Sequence, residues 1–185
     1  MNNNTSRPSI RYTKPGKLQT HQLTLLAIVL AARIVLSYVP SMKFGSYAEI
    51  GFGFIGTAIS GILFGPWYAL IVSVANDLIT SLLHGQNFFL GFVLSAALGG
   101  YFYGKVLWRQ TISWKRIFVA VLLVTIIINL GLNSLWIKIM FDRAWMAFLP
   151  LRVVKNLVSL PLNTILLGLI LMNPTIKKLL QKYQF

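Results

Sequence analysis

Residues 50–84 read IGFGFIGTAISGILFGPWYALIVSVANDLITSLLH, an almost unbroken apolar run whose one acidic residue is Asp77. The Gly65-Pro66 dipeptide interrupts the run near its middle, and such dipeptides mark turns and helix boundaries. The run therefore predicts two helices, one at about Ile50 to Phe64 and one at about Tyr68 to His84. Both are apolar enough to lie in a membrane.

The rest of the chain continues this apolar pattern. Hydrophobic residues make up 56% of the 185 residues, charged residues make up 11%, and the mean hydropathy is +0.71. A soluble domain of this composition would precipitate, whereas a bilayer crossing takes about 20 apolar residues. Four further membrane helices are predicted at about His21 to Val39, Phe88 to Leu107, Arg116 to Phe141 and Leu149 to Met172. The sequence therefore predicts an all-α integral membrane protein, a six-transmembrane-helix bundle in residues 21–173, with basic tails at residues 1–20 and 174–185.

Basic residues are concentrated on one side of this predicted bundle. Lysine and arginine number 17 against three acids, which gives a net charge of +14. Six crossings place both termini on one side, and most cations fall there: Arg7, Arg11, Lys14, Lys17, Lys105, Arg109, Lys115, Arg116, Lys177, Lys178 and Lys182. Because lysine and arginine are in excess in cytoplasmic loops, we expect both termini to be cytoplasmic in a bacterial cell membrane. The charge then requires no nucleic-acid partner.

Few residues in the sequence are suited to catalysis. It has no cysteine, and its acids and histidines are Glu49, Asp77, Asp142, His21 and His84. Glycine-rich segments at residues 51–56 and 99–105 resemble nucleotide-binding motifs. For the first we expect neither the preceding strand nor the polar phosphate site that such a motif needs, and the second lies in apolar helix with Val106 where a magnesium-binding serine or threonine is required. The sequence therefore predicts a non-enzymatic protein with no cofactor or metal, which cannot use ATP by itself. An ion-coupled small-molecule carrier that uses Asp77 stays an alternative.

Charged side chains occur at membrane depth in the outer half of the predicted bundle. A charge inside a bilayer costs about 2.5 to 3.5 kcal/mol on insertion scales, so it indicates a functional role. The charged residues at this depth are Arg33, Asp77, Lys138, Arg152 and Lys155, of which Lys138 is better explained by a side chain that extends to the membrane surface. They predict a polar pocket that opens to the outside, although Arg33 and Asp77 could also form a plain ion pair between helices.

Helical spacing adds uncharged groups to this predicted pocket. Asn133 and Trp136 share one face of the fifth helix with Asn129, and Asn156 shares a face of the sixth helix with Arg152. Phe92 and Trp136 are placed to stack on a planar ligand. Asn129 and Asn163 are better explained by hydrogen bonds between helices. The external loop from Pro40 to Glu49 is either a lid over the pocket or a solvated connector.

Small residues recur every four positions in three of the predicted helices. They are Gly53, Thr57, Gly61 and Gly65, then Ala96, Gly100 and Gly104, and the pair Ala27 and Ala31. Such stripes let membrane helices approach closely. We expect the two longer stripes to pack inside the bundle, and we expect Ala27 and Ala31 to contact a partner protein.

Five segments of the chain carry a resemblance to a known family. They are residues 47–54 (YAEIGFGF), 60–66 (SGILFGP), 76–79 (NDLI), 91–97 (GFVLSAA) and 149–156 (LPLRVVKN). The chain resembles the folate-specific substrate-binding subunits, or S components, of energy-coupling-factor (ECF) vitamin transporters over nearly all of residues 20–175. Gly56 and Leu90 depart from the prolines expected in that family.

The resemblance implies a function and a set of partners. It implies six membrane helices that bind a vitamin from outside, a membrane scaffold subunit that contacts Ala27 and Ala31, and two cytoplasmic ATPase subunits. Other planar vitamins, such as riboflavin, thiamine or a queuosine precursor, stay open as alternatives to folate.

The resemblance also assigns chemistry to the predicted pocket. A carboxylate can accept two hydrogen bonds from the amino and ring N–H edge of a pterin, and Asp77 is the first candidate and Glu49 the second. Arg33, Arg152 and Lys155 are candidates for the two carboxylates of the glutamate tail of folate. Phe92, Asn133, Trp136 and Asn156 complete the predicted site.

Overall fold

The computed structural model describes residues 19–38, 42–44, 48–85, 89–141 and 145–184. Several sequence predictions fall outside these residues. The basic tail at residues 1–18, Asp142 and Arg143 are among them, and so is the tip of the proposed lid at residues 45–47. The side chain of Glu49 also lies outside the described part of the chain.

The described chain is helical apart from one short hairpin of strands. The helices are α1 (Thr20–Ser37), α2 (Gly53–Leu83), α3 (Leu90–Leu107), α4 (Trp114–Leu123), a π-helical segment (Val124–Leu132), α5 (Asn133–Phe141), α6 (Trp145–Met172) and α7 (Pro174–Tyr183). Strands β1 (Met42–Phe44) and β2 (Ala48–Ile50) pair antiparallel, with Lys43 opposite Glu49. Strand β2 ends directly before the glycines of residues 51–56, so the prediction that no strand precedes them is wrong. Among the described residues β2 pairs only with β1 and in the antiparallel sense, so the parallel β-α-β unit of a dinucleotide-binding motif is not formed there. By length and composition, five segments are candidate membrane spans: Thr20–Ser37, Gly53–Leu83, Leu90–Leu107, Trp114–Met140 and Leu149–Met172.

The long helix α2 folds back on itself at Gly65. Gly65 has φ 75° and ψ −179°, a conformation that is essentially restricted to glycine, and Pro66 follows it. Ser60 and Ser73 lie on opposite sides of this break, yet both accept a hydrogen bond from the same Nη1 atom of Arg33, at 3.5 and 3.0 Å. Thirteen residues of continuous helix would separate them by about 20 Å. The two halves of α2 are therefore antiparallel, as the Gly65-Pro66 dipeptide predicts.

Helix α3 packs against both halves of α2 through the small-residue stripes. A Cβ atom added to Gly61 would come within 2.6 Å of the backbone nitrogen of Gly104, and one added to Gly100 would meet the carbonyl of Ala69. Glycine is required where backbones approach this closely. Packing inside the bundle is thus confirmed for these two stripes. Gly53 is the exception, because no described atom outside its own turn of helix lies within 4 Å of the position of its Cβ.

The fifth predicted helix is less regular than its sequence pattern suggests. It runs from Trp114 to Phe141, but residues 124–132 adopt a π-helix between α4 and α5. π-helical turns are rare and often lie at functional sites. The preceding helix α4 is regular, and its buried side chains, such as Ile117 and Val121, lie in the hydrophobic core.

The two ends of the bundle differ in charge. At one end, which we call the basic end, Tyr183 of α7 stacks on His21 at 6.0 Å, and the Nε2 atom of Gln184 donates a hydrogen bond to the carbonyl of Ile62 at 2.7 Å. The described cations at this end are Lys105, Arg109, Lys115, Arg116, Lys177, Lys178 and Lys182. At the opposite end, Tyr38 contacts His84 with ring centroids 4.7 Å apart.

Helix α7 was not anticipated from the sequence, which suggests only a basic tail from residue 174 onward. Its side chains alternate between the bundle and solvent: Leu180 is 5% exposed, whereas Leu179 is 55% exposed.

The outward face of α6 is apolar, with Leu157 68% exposed. An apolar outer surface on a helix that is long enough to span a bilayer is what a lipid environment requires.

Candidate functional site

An open cavity of about 490 Å³ lies between the helices, towards the end opposite the basic end. Its volume lies in the range of about 300–1,000 Å³ that is typical of small-molecule sites. It is lined by residues of α1, both halves of α2, α3 and the segment around the π-helix: Arg33, Leu36, Ser37, Gly53, Phe54, Thr57, Ser73, Asn76, Asp77, Ser81, Phe89, Phe92, Ser95, Ala96, Gly99, Tyr103, Val124, Ile128, Asn129 and Asn133. The structure thus brings four of the predicted site residues to one cavity: Arg33, Asp77, Phe92 and Asn133.

Arg33 holds the wall of the cavity together. Its side chain is only 7% exposed, and its guanidinium donates hydrogen bonds to the hydroxyls of Ser60, Ser73 and Thr57. These three hydroxyls belong to both halves of α2, so Arg33 links α1 to the α2 hairpin. In the part of the chain that the structure describes, no ion pair joins Arg33 to Asp77. The guanidinium therefore keeps a positive charge at the cavity that the Asp77 carboxylate does not contact directly.

The cavity lining includes the side-chain acceptors of Asn76, Asp77 and Asn133. Among the described residues, the buried Oδ1 atoms of Asn76 and Asn133 have no hydrogen-bond partner. Buried acceptors normally have partners, so unpaired ones need an explanation. Rotation of these amide groups towards the cavity would offer their oxygens, together with the Asp77 carboxylate, to a ligand that presents several N–H donors.

Aromatic rings form another wall. Phe89 and Phe92 line the cavity, with ring centroids 5.9 Å apart in an edge-to-face arrangement. Trp136 does not line the cavity. It packs against Phe89 with ring centroids 5.9 Å apart, and its Nε1 atom donates to the hydroxyl of Ser95 at 3.0 Å. Trp136 therefore supports the ring that the cavity exposes.

The predicted residues of α6 also lie outside the cavity lining. Arg152 is 7% exposed, and its Nη2 atom donates to the backbone carbonyl of Asn129 in the π-helical segment at 3.0 Å. Asn156 is 2% exposed and donates from Nδ2 to the carbonyl of Arg152 at 2.8 Å. Lys155 is half-buried. Arg152 thus supports the π-helical segment, whose residues Ile128 and Asn129 line the cavity, whereas Asn156 bonds within α6 to the carbonyl of Arg152.

The residues predicted to meet a partner protein lie on an outer surface. Ala27 and Ala31 are exposed and lie one turn apart on α1. Leu23 and Val35 extend the same surface and are 59% and 67% exposed. Within the described chain this strip of α1 is covered by no other helix.

Sequence reasoning missed the hydroxyl residues of the cavity. Thr57, Ser73 and Ser95 give no distinct signal, because serine and threonine in membrane helices commonly bond to a carbonyl of their own helix. Thr57 does so, since its Oγ1 atom donates to the carbonyl of Gly53 at 3.0 Å. The useful signal was indirect: a buried arginine in an apolar helix needs acceptors, and the hydroxyls on the small-residue stripe supply them.

Taken together, the cavity can hold a flat ring that has N–H donors along one edge and an anionic group elsewhere. The carboxylate and amide oxygens accept from the donors, the phenylalanine rings contact the ring faces, and Arg33 attracts the anion.

Residues 21–171 match the family described as ECF transporter, substrate-specific component. Among curated proteins, the folate transporter FolT of Clostridium novyi (strain NT) is 35% identical over 120 residues, which cover 64% of this chain and 70% of that protein. The folate transporter FolT of Leuconostoc mesenteroides subsp. mesenteroides is 32% identical over 155 residues, which cover 80% of this chain and 82% of that protein.

Two solved structures resemble the fold. The crystal structure of FolT bound with folic acid matches with a TM-score of 0.74 and 30% identity, over 80% of this chain and 89% of that chain. The S-component for biotin from an ECF-type ABC transporter matches with a TM-score of 0.61 over 82% of this chain and 93% of that chain. Its identity is 17%, so that likeness concerns the fold alone.

Proposed function

We propose that this chain, which belongs to the substrate-specific components of ECF transporters, binds folate and delivers it to an ATP-driven import complex without catalysing a reaction itself. The family resemblance inferred from the sequence motifs is confirmed by the match over residues 21–171. The likeness to FolT bound with folic acid, at 30% identity, supports folate as the ligand.

The observation that carries this proposal is the set of oxygen acceptors in the cavity lining, namely Asn76, Asp77 and Asn133, which we call the acceptor wall. Folate has a flat pterin with an amino group and a ring N–H along one edge. The Asp77 carboxylate and the Oδ1 atoms of Asn76 and Asn133 can accept hydrogen bonds from these donors. Phe89 and Phe92 supply aromatic faces for a planar ring, and Arg33 supplies a cation for an anionic group of the ligand. Glu49 and Lys155 stay proposed contacts beyond these cavity residues.

Folate binding can be tested on the purified protein alone. Folate added to the protein in detergent should quench tryptophan fluorescence with a Kd in the nanomolar range. A mass spectrum of small molecules that co-purify with the protein provides an independent identification. Riboflavin, thiamine or a queuosine precursor in that spectrum, with no saturable folate binding, would contradict the proposal.

We further propose six membrane crossings with both termini in the cytoplasm. The fold-back of α2 at Gly65 supports six crossings, and the cations gathered at the basic end support the orientation, since lysine and arginine accumulate on the cytoplasmic side. The absence of cysteine from the sequence makes the test direct. In intact cells a membrane-impermeant maleimide should label a His84→Cys variant and leave a Gln181→Cys variant unlabelled. The reverse labelling pattern would refute the orientation.

The import complex is proposed to consist of this chain, a scaffold subunit and two ATPase subunits. The exposed strip at Ala27 and Ala31 supports a helix contact with the scaffold, because small residues allow close approach. Ala27→Trp or Ala31→Trp should abolish folate uptake and leave folate binding intact. Leu157→Trp, on the exposed apolar face of α6, is the matched control and should change neither. Loss of binding in the α1 variants would mean that these alanines serve the fold instead.

A further inference from the structure

Helix α7 is a fixed part of the basic end. Ile176, Leu180 and Tyr183 face the bundle, with Leu180 5% exposed and Tyr183 stacked on His21. The helix begins immediately after α6, because the side chain of Asn173 accepts a hydrogen bond from the backbone nitrogen of Thr175 at 3.0 Å. α7 is therefore held within one turn of the point where the membrane span ends.

The outward face of α7 combines cations with exposed apolar surface. Pro174, Thr175, Lys178, Leu179 and Lys182 line a shallow groove of about 390 Å³. Both lysines are exposed, and Leu179 between them is 55% exposed. Residues 143–185 contain no aspartate or glutamate, and the lining of the groove includes no acidic side chain.

This combination selects one kind of partner. Two ammonium groups one helical turn apart, about 6 Å along the axis, can bracket a phosphate between them. A free phosphate or a nucleic acid would gain nothing from an exposed leucine, whereas a phospholipid brings a phosphate and an acyl chain together. Basic amphipathic helices directly beside a membrane span are typical sites for anionic lipids.

We propose that the α7 groove binds the headgroup phosphate of an anionic phospholipid in the adjacent leaflet, with Lys178 and Lys182 on the phosphate and Leu179 against the acyl chain. The inference rests on the proposed orientation, in which the basic end faces the cytoplasmic leaflet. It is independent of the ligand cavity, which lies towards the other end of the bundle. Folate binding and lipid binding can therefore fail separately.

Native mass spectrometry of the full chain in a non-ionic detergent tests the proposal. Phosphatidylglycerol is titrated against phosphatidylcholine, and the bound lipids are counted. The Lys178→Gln/Lys182→Gln variant should bind phosphatidylglycerol about 30-fold more weakly, since each lysine near an anionic surface contributes about fivefold. The Lys178→Arg/Lys182→Arg variant keeps the charge and should bind within about twofold of the parent.

A matched control removes the same charge from the same end. Lys115→Gln/Arg116→Gln on α4 should leave the α7 lipid affinity within about threefold of the parent, because these residues do not line the groove. If the control variant lost as much affinity for phosphatidylglycerol as the α7 variant, the total charge of this end and not the groove would explain the binding, and the proposal would be overturned. Equal binding of the two lipids by the parent would also overturn it.

Two further results separate a lipid from other sources of the same chemistry. Glycerol phosphate at millimolar concentration should not displace phosphatidylglycerol, and Leu179→Asn should weaken the lipid. Displacement by glycerol phosphate, with no effect of Leu179→Asn, would show a simple anion site instead. An unchanged Kd for folate in each variant shows that the protein is folded, and maleimide labelling of Gln181→Cys tests the orientation separately.

Discussion

Replacing Asp77 by asparagine tests the acceptor wall most directly. The substitution keeps the shape of the side chain but removes its charge and turns one acceptor into a donor. Asp77 lines the cavity together with Asn76 and Asn133, whose Oδ1 atoms have no partner among the described residues. We expect the pterin edge to lose its charged acceptor and to keep the two amide acceptors, so that binding is weakened but not abolished.

The expected loss of folate affinity follows from the removal of one charged hydrogen-bond acceptor. A hydrogen bond to a charged group contributes about 1.5 to 3 kcal/mol, and 1.4 kcal/mol corresponds to a tenfold change in Kd. The Asp77→Asn variant should therefore bind folate roughly 10- to 150-fold more weakly. Arg33 stays hydrogen-bonded to three hydroxyls rather than to Asp77, so the variant should unfold at nearly the same temperature as the parent.

The assay compares two ligands on two proteins by isothermal titration. Folate presents the pterin, whereas p-aminobenzoylglutamate lacks it and keeps the glutamate tail. The Asp77→Asn substitution should weaken folate and leave p-aminobenzoylglutamate unchanged. Equal weakening of both ligands would mean that Asp77 acts on the tail or on the fold, and unchanged folate affinity would remove Asp77 from the site.

Three other substitutions, with Gly53→Ala as the control for one of them, test the supports of the cavity and the break in α2. Arg33→Gln should lower the thermal stability of the ligand-free protein by about 1 to 3 kcal/mol, because it leaves buried hydroxyls without a donor, and it should weaken folate as well; an unchanged unfolding temperature would contradict the linking role of Arg33. Gly65→Ala should cost about 1 to 3 kcal/mol of unfolding free energy, because alanine is strained at this φ and ψ, whereas Gly53→Ala should change the stability little. Arg152→Gln should speed amide hydrogen exchange in residues 124–132 and weaken folate about tenfold through the lost bond to the Asn129 carbonyl. Weaker folate binding with unchanged exchange would instead indicate direct contact between Arg152 and the ligand.

The sequence was sufficient for the parts of the fold that depend on local chemistry. The Gly65-Pro66 dipeptide predicts the break in α2, because few residues other than glycine adopt the backbone conformation found there. The free-energy cost of a charge in apolar surroundings similarly predicts that Arg33 and Asp77 lie at a common polar site. In both cases a single residue type carries a strong physical constraint.

The parts that were not predictable depend on how helices rotate and where they become irregular. Asn133 lines the cavity, but Trp136, three residues later, points to Ser95 of α3. Helical spacing allows either direction, because residues three apart differ by about 60° around an α-helix. The π-helical segment has no distinct sequence signature, yet it presents the Asn129 carbonyl to Arg152. A cation read from the sequence as a ligand contact is therefore engaged by backbone.

The acceptors without protein partners bear on the selectivity of the cavity. Among the described protein groups the Oδ1 atoms of Asn76 and Asn133 have no partner, so a ligand can bond to them without breaking hydrogen bonds inside the bundle. A ligand that donates N–H groups gains these bonds, whereas a flat apolar ligand that excludes water from the acceptors leaves them unpaired, at about 1 to 3 kcal/mol each. Discrimination between ligands then comes from polar groups that only a ligand with matching N–H donors can pair. The same argument explains why Arg33 is bonded to hydroxyls rather than to Asp77: a tight ion pair would satisfy both charges within the protein and leave neither available to the ligand.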